Sequence, residues 1–475
     1  MPIAPFPYTV DGKQGDVPNG FYPAADSDRE VLLLPTPGLK EICTLTDCTE
    51  IREVYSWGNF IYALARRGSQ TVLWRVDASG GFAELGTITT SASGPAWMKN
   101  NPTQLGSCDG VSLYIYTPGT GLFVQNTDPA FVGAGGFDYQ DTYGMYFQPG
   151  TRNWFVTNQD QFLSQDSTQQ YVKQTQPDNI VALLSFMRQP LIAGAKTMEW
   201  YHNTGGTDTS GAAATFERDA GGLMNYGCGA PKSLVDLCGA APAWLSDQGE
   251  VLMAGGYTVI PFSNQMFTRA VRGDGTTENP GYSTFADAIA FAYRDKGHVF
   301  YQITFPSAGV TWVYDLTTKM WHKRQSYLED GSGWGRHRAN CYTLLGNKHY
   351  VGDYLNGKIY EMSNAYFDDN SQEIQRILYS RFLDSGRKLT YYGPLQLLLE
   401  PGIGLTGGAD PQVMLEITSN GKTWSSEIWR SAGAIGNYDA RIIWEQLGAD
   451  FRRQYRFTMS DSVDWTIYAM DLGVA

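Results

Sequence analysis

Hydrophobic and polar positions alternate over short runs along most of this chain, and the runs end at Gly, Pro, Asn or Asp. Alternation with a period of two marks half-buried β-strands, and convincing apolar faces at helical spacing are hard to find. The clearest unit starts at Gly58: GNFIYALA, a turn, TVLWRVD, a turn at Ala78-Ser79-Gly80-Gly81, then FAELGTI. Its central phrase, Trp74-Arg75-Val76-Asp77, is followed by an aromatic, Phe82. It returns as Trp312-Val313-Tyr314-Asp315 followed by Trp321. The pattern predicts a hairpin in which Asp makes an Asx-type turn and the aromatic starts the return strand. Weaker copies begin near Asp109, Tyr143, Gln189, Asp247 and Lys348. In the last, Asn356-Gly357 predicts a type I′ turn with positive φ at both residues.

Recurrence at roughly 40–50 residues with four strands each predicts propeller blades, about six or seven between residues 51 and 365. The ends of the chain read differently. Residues 1–50 hold seven of the 22 prolines and predict an extended arm. Residues 366–475 carry strand-like ILYSRF, KLTYY and LQLLLE, then QVMLEIT, TWSSEIWR, ARIIWEQL, RQYRFTMS and WTIYAMDL. These predict a second, sandwich-like β platform. The arm is expected to pack on it, since the two ends of a domain commonly lie close together. The fold class expected is therefore mostly β, a propeller with a β-sandwich-like platform.

Composition narrows the function classes. The net charge is −13, and no Lys/Arg cluster offers a phosphate grip, so stable nucleic-acid binding is not expected. An acidic surface would let DNA slide past without sticking. Six cysteines scattered over 475 residues are too sparse for a disulfide framework and fit folding in a reducing cytosol. Cys43 and Cys48 lack a nearby His or second Cys pair, so no metal and no cofactor are expected. The opening MPIAPFPYTVDG has neither the basic nor the apolar region of a signal peptide. No stretch offers the ~20 apolar residues of a membrane span.

Candidate chemistry is thin. The five histidines, His202, His298, His322, His337 and His349, fall in no metal-binding or catalytic spacing. Gly331-Ser332-Gly333 lacks the spacing of a nucleophile elbow, and Gly205-Gly206…Gly211 lacks the Lys of a phosphate loop. Thr418-Ser419-Asn420-Gly421-Lys422-Thr423-Trp424 resembles one degraded Asp-box, with Ser419 at the Asp position and Ile417 at the Ser position. Such a box is a folding element, a hairpin turn with a Trp plugging the neighbouring sheet. No catalytic residues are expected, and the chain reads as a non-enzyme.

Two stretches resemble a known family. One is LLLPTPGLKEI, Leu32 to Ile42; the other runs from Thr418 to Asp461. The second carries Trp424, Trp429, Arg430, Ser431, Gly433, Ile435, Gly436, Tyr438, Arg441, Trp444, Leu447 and Gly448, and departs where the first aromatic of Gln454-Tyr455-Arg456-Phe457 is Tyr. Both are similar to the packaged-DNA stabilisation proteins, or tail nozzles, of short-tailed phages, and GDYLNGKIYEMS looks like the last blade of that family. The resemblance implies a structural virion protein of the tail, assembled in the host cytoplasm as a homohexameric ring below the portal and its adaptor ring. Such a ring closes the tail channel, retains packaged DNA, conducts it during ejection and anchors fibres, spikes or a needle. DNA would be a transient, non-specific passenger. Trp and Arg are the residues most often found as interface anchors, so Trp424, Trp429, Arg430, Trp444, Arg452 and Arg453 are the interface candidates. The competing class is a glycan-binding or glycan-hydrolysing propeller, which predicts several intact Asp-boxes.

Overall fold

The computed structural model describes residues 2–3, 18–24, 32–207, 213–328, 330–384, 386, 388–400, 402–405 and 410–474. Most of the proline-rich arm and Gly211 of the glycine loop lie outside the described residues. The chain forms two compact units. One holds residues 41–309 and 338–361; the other holds 1–40, 310–337 and 362–475.

In the first unit, antiparallel sheets follow one another along the chain. Blade one comprises Glu50–Trp57, Phe60–Arg67, Gln70–Asp77 and Phe82–Ile88. Four further four-stranded blades begin at Trp97–Asn100, Phe137–Gln140, Ile180–Phe186 and Val235–Asp236. A sixth begins with Ile289–Asp295 and His298–Phe305, a seventh with Ala339–Leu345 and Lys348–Asp353. The seven first strands touch in cyclic order, the seventh returning to Glu50–Trp57, so the ring closes at seven. The last sheet is completed by Gly38–Thr44, which lies beside Lys358–Ser363. Strands from the two ends of the propeller sequence therefore share one blade.

Apolar clusters sit between successive sheets, as alternation requires. Leu64, Leu73 and Tyr62 of blade one pack with Met98, Leu105 and Tyr114 of blade two. Met145, Trp154 and Val156 pack with Ile192 and Tyr201 of the next pair. A polar knot ties blades one and two together. Buried Arg52 donates through Nη1 to Thr71 Oγ1 at 2.6 Å and the Ser91 carbonyl at 3.1 Å, and through Nη2 to the carbonyls of Ser93 and Gly94 at 2.9 and 3.1 Å. Burial presses its pKa down, and the charge of Asp109 works against that shift.

The repeated phrase makes the same turn twice. Asp77 Oδ1 accepts from the backbone of Ser79 at 2.8 Å and of Gly81 at 3.0 Å, and Trp74 meets Phe82 edge-on at 5.6 Å. Asp315 Oδ1 accepts from Thr317 N at 2.8 Å, and Trp312 meets Trp321 edge-on at 6.2 Å. Asn356-Gly357 departs from expectation, because neither residue has positive φ and the turn is not type I′. Glycine is needed there for close approach: a Cβ would stand 2.7 Å from the Leu45 carbonyl and 2.8 Å from Cys48.

The second unit is a two-sheet sandwich with a hairpin. One sheet runs in the order Phe21–Ala24, Leu32–Pro35, Ile467–Val474, Thr390–Leu399, Ile442–Trp444, with Pro2–Ile3 on Ile467–Val474. The other runs Arg376–Tyr379, Arg452–Met459, Gln412–Thr418, Ile428–Ser431. Trp444, Trp465, Phe457, Leu395, Leu415 and Leu33 fill the space between them. Register places Leu395 opposite both Trp444 and Leu472, and Leu415 opposite Phe457. In the hairpin, Val310–Asp315 pairs with Met320–Tyr327, and Asn19 bridges the second strand to Ile377. Fully buried Arg324 donates through Nη2 to the Pro37 carbonyl at 2.6 Å.

Candidate functional site

The six interface candidates all fall in the sandwich unit, and the structure separates them. Trp444 is fully buried, donating its indole N–H to the Ile428 carbonyl at 2.9 Å. It fills the core of its own domain and has no surface to offer, so its place is packing rather than contact. Arg453 is also buried; its Nη1 donates to the Leu447 carbonyl at 2.5 Å and its guanidinium lies 4.5 Å from the Tyr392 ring centre. Burial raises the phenol of neighbouring Tyr455 to about 12.

Trp424 and Arg452 are half-buried. Trp424 stands under the Arg456 guanidinium at 4.5 Å, and Arg456 forks onto Glu416 at 2.6 and 2.5 Å. Arg452 covers the Phe382 ring at 3.7 Å. Trp429 and Arg430 are exposed on the edge strand Ile428–Ser431. Trp429 is half accessible, its indole N–H donating to Glu427 at 3.0 Å. Arg430 donates to the Ile443 carbonyl at 3.0 Å and the Trp429 carbonyl at 2.9 Å, bridging the edges of the two sheets.

Four large apolar side chains escaped the sequence reading of the interface. Ile435, Tyr438, Phe451 and Tyr391 are 64, 73, 56 and 63% exposed. The signal was present for the first two, which stand among turn residues in Ile435-Gly436-Asn437-Tyr438-Asp439, where no strand alternation assigns them to a core.

The Asp-box-like hairpin turns by a different residue from the one its alignment suggests. Asn420 Oδ1 accepts from the backbone of Lys422 at 2.8 Å and of Thr423 at 2.9 Å, and Asn420 Nδ2 donates to Thr423 Oγ1 at 2.8 Å. Asn420 thus does the work of the box's Asp. Ser419, at that aligned position, lies on the exposed tip.

The histidines sit apart. His298, His322 and His337 are buried, and burial lowers the pKa of His349, whose Nδ1 is 2.9 Å from Tyr342 Oη. His202 Nδ1 lies 2.5 Å from Asp219, both residues being partly exposed. Among the described residues, no group of three or more His, Cys, Asp or Glu is placed to hold a metal ion. No helix of the described residues is long and apolar enough to cross a membrane.

Comparison with known proteins gives two family matches. Residues 32–366 match the β-propeller of bacteriophage P22 Gp10, and residues 375–475 match its β-sandwich. A search of curated proteins found no match. Among solved structures, the WD40 domain of Neurospora crassa Pan2 is 9% identical with a TM-score of 0.41, the alignment covering 68% of this chain and 95% of that one. The N-terminal domain of Nup159 is 8% identical at a TM-score of 0.43, covering 73 and 99%. The WD40 domain of Toxoplasma gondii coronin is 9% identical at 0.38, covering 73 and 87%. At such scores these neighbours carry no weight beside the two family matches. With a propeller and a sandwich that both match across nearly the whole described chain, this protein belongs to the bacteriophage P22 Gp10 family, the packaged-DNA stabilisation proteins of short-tailed phages.

Proposed function

We propose that the chain is a tail-nozzle subunit, forming a homohexameric ring below the portal's adaptor ring. In this reading the ring closes the tail channel, holds packaged DNA in, conducts it during ejection, and anchors fibres, spikes or a needle. The role is structural, without a catalytic step, and its place is the virion tail after assembly in the host cytoplasm. The observation that carries the reading is the family match over both domains. A cyclic ring needs a head-to-tail contact between two different patches of one subunit. Exposed Trp429, Ile435, Tyr438 and Phe451, with Arg430 beside them in sequence, supply apolar and bidentate anchors of the kind such contacts use. The net charge of −13 suits a conduit that DNA passes without adhering.

Light scattering on the purified protein, alone and with the adaptor ring, tests this. A species near six times 52.6 kDa is expected, alone or on the adaptor. A monomer indifferent to every tail component would overturn the nozzle and direct attention to glycan arrays.

A further inference from the structure

Blades three and four carry long outer strands, Gln161–Val172 and Ala213–Met224, of 12 residues each. A cavity of about 500 Å³ opens between them, within the roughly 300–1,000 Å³ of small-ligand sites. Hydrogen bonds from one blade to the other hold its shape. Tyr171 Oη accepts from the backbone of Thr215 at 3.0 Å and of Phe216 at 3.2 Å, and Gln169 Oε1 accepts from Thr215 N at 3.3 Å. Tyr171 stacks on Trp154 at 4.4 Å with Phe216 edge-on to it, so part of the wall is aromatic.

The polar part of the wall has donors to spare. Arg218 is partly exposed; it spends Nη1 on Thr175 Oγ1 at 3.3 Å and forms no ion pair among the described residues. Neither neighbouring carboxylate answers it. Glu199 is fully buried and accepts from Gln174 N, Thr175 N and Tyr201 Oη at 3.2, 2.7 and 2.9 Å. Glu217 stands opposite His202 and Arg218 opposite Tyr201, so alternation turns the two side chains to opposite faces of the strand. Gln170 and Gln174 line the same cavity, both are exposed, and their amides have no partner among the described residues. A guanidinium in this state offers its planar fork to a carboxylate through two parallel bonds. An amide is donor and acceptor at once, as a hydroxyl is, so the two pair in either sense.

We propose that this cleft binds a carboxylate-bearing saccharide. Arg218 takes the carboxylate, the amides of Gln170 and Gln174 take ring hydroxyls, and Tyr171 supplies an apolar wall for the sugar's C–H groups. Several amides lining one cavity with a guanidinium match a ring that carries its carboxylate and hydroxyls within a few ångströms. An extended acidic peptide would spread the same groups along a strand at about 3.3 Å per residue. The inference stands apart from the nozzle reading, since it needs neither a ring nor DNA.

Isothermal titration of the full chain decides it. The probes are tetragalacturonate, a tetrasaccharide of alternating glucuronate and N-acetylglucosamine, and a sialic-acid tetramer; chitotetraose is the neutral control and tetraglutamate the acidic peptide. Saturable binding of at least one acidic saccharide is expected, about tenfold tighter than chitotetraose or tetraglutamate, because only it gains both the charge-assisted fork and the hydroxyl contacts. Arg218→Gln keeps a donor for Thr175 and removes the charge, so that affinity should fall about tenfold with the melting temperature unchanged. If this variant fails to fold, Gln174→Ala at an exposed position serves instead, with an expected loss of about threefold from one neutral hydrogen bond. No saturable binding of any of the three, chitotetraose binding equally well, or affinity unmoved in the folded variants would overturn the proposal. Tighter binding of tetraglutamate would overturn it in favour of an acidic peptide.

Discussion

In blades one to five every strand lies beside its neighbour in the chain, whereas the sandwich strand Ile467–Val474 sits between Leu32–Pro35 and Thr390–Leu399. The two regions bury similar residues in opposite ways. A blade is three successive hairpins whose turns are set locally, by Asp77 or Gly80, before anything packs on them. The sandwich must bring both ends of the chain into one sheet, and closing such a loop costs entropy before any contact repays it. Local pairing lets a pattern in the sequence specify the blade. Non-local pairing leaves the sandwich to its core, where Trp444, Trp465 and Leu33 come from three distant segments.

The largest effect expected is therefore in that core. Trp444→Ala should cost about 3–5 kcal/mol, because a fully buried indole leaves a cavity that flanking strands cannot fill. Followed by separate probes in a denaturant titration, the sandwich transition should shift while the propeller transition stays put. A common shift of both would mean that the two regions unfold as one. Next comes Arg52→Met in the propeller, expected to cost on the order of 3 kcal/mol by leaving the carbonyls of Ser91, Ser93 and Gly94 without their donor. Here the propeller transition should move and the sandwich transition should not.

Asp77→Ala and Asp315→Ala test the repeated turn, each expected to destabilise the protein by less than Arg52→Met, because each removes only a local hydrogen-bonded turn. Similar losses at both positions would confirm that one phrase does one job; a much larger loss at Asp315 would show that its burial matters more than its turn. The smallest effect on folding belongs to Trp429→Ala. An exposed side chain on an edge strand should change monomer stability by no more than about 0.5 kcal/mol. Ring mass in light scattering should nonetheless drop if the proposed nozzle contact uses it.

Several features were legible because they are local. The alternation at FIYALA and TVLWRVD became adjacent strands with Leu64 opposite Leu73, and the two Asp-ended phrases became matching turns. The same locality misled at Asn356-Gly357, where the dipeptide fits the turn statistics yet its glycine answers to Leu45 and Cys48 from far up the chain. Of the interface candidates, the motif brought all six into one domain but could not sort Trp444, inside, from Trp429, outside. Alternation assigns a side chain to one of two faces without saying what covers that face.

By itself, then, the sequence determined strands, hairpins and the propeller-and-sandwich plan, since these rest on spacing of two and on turn chemistry within a few residues, while the family entered through the motif from Thr418 to Asp461. Only the tertiary structure decided that the ring closes at seven, with Gly38–Thr44 beside Lys358–Ser363, and that Leu33 shares a core with Trp465. Those outcomes depend on which distant segments meet, and that choice is made by burial over the whole chain rather than by any local pattern.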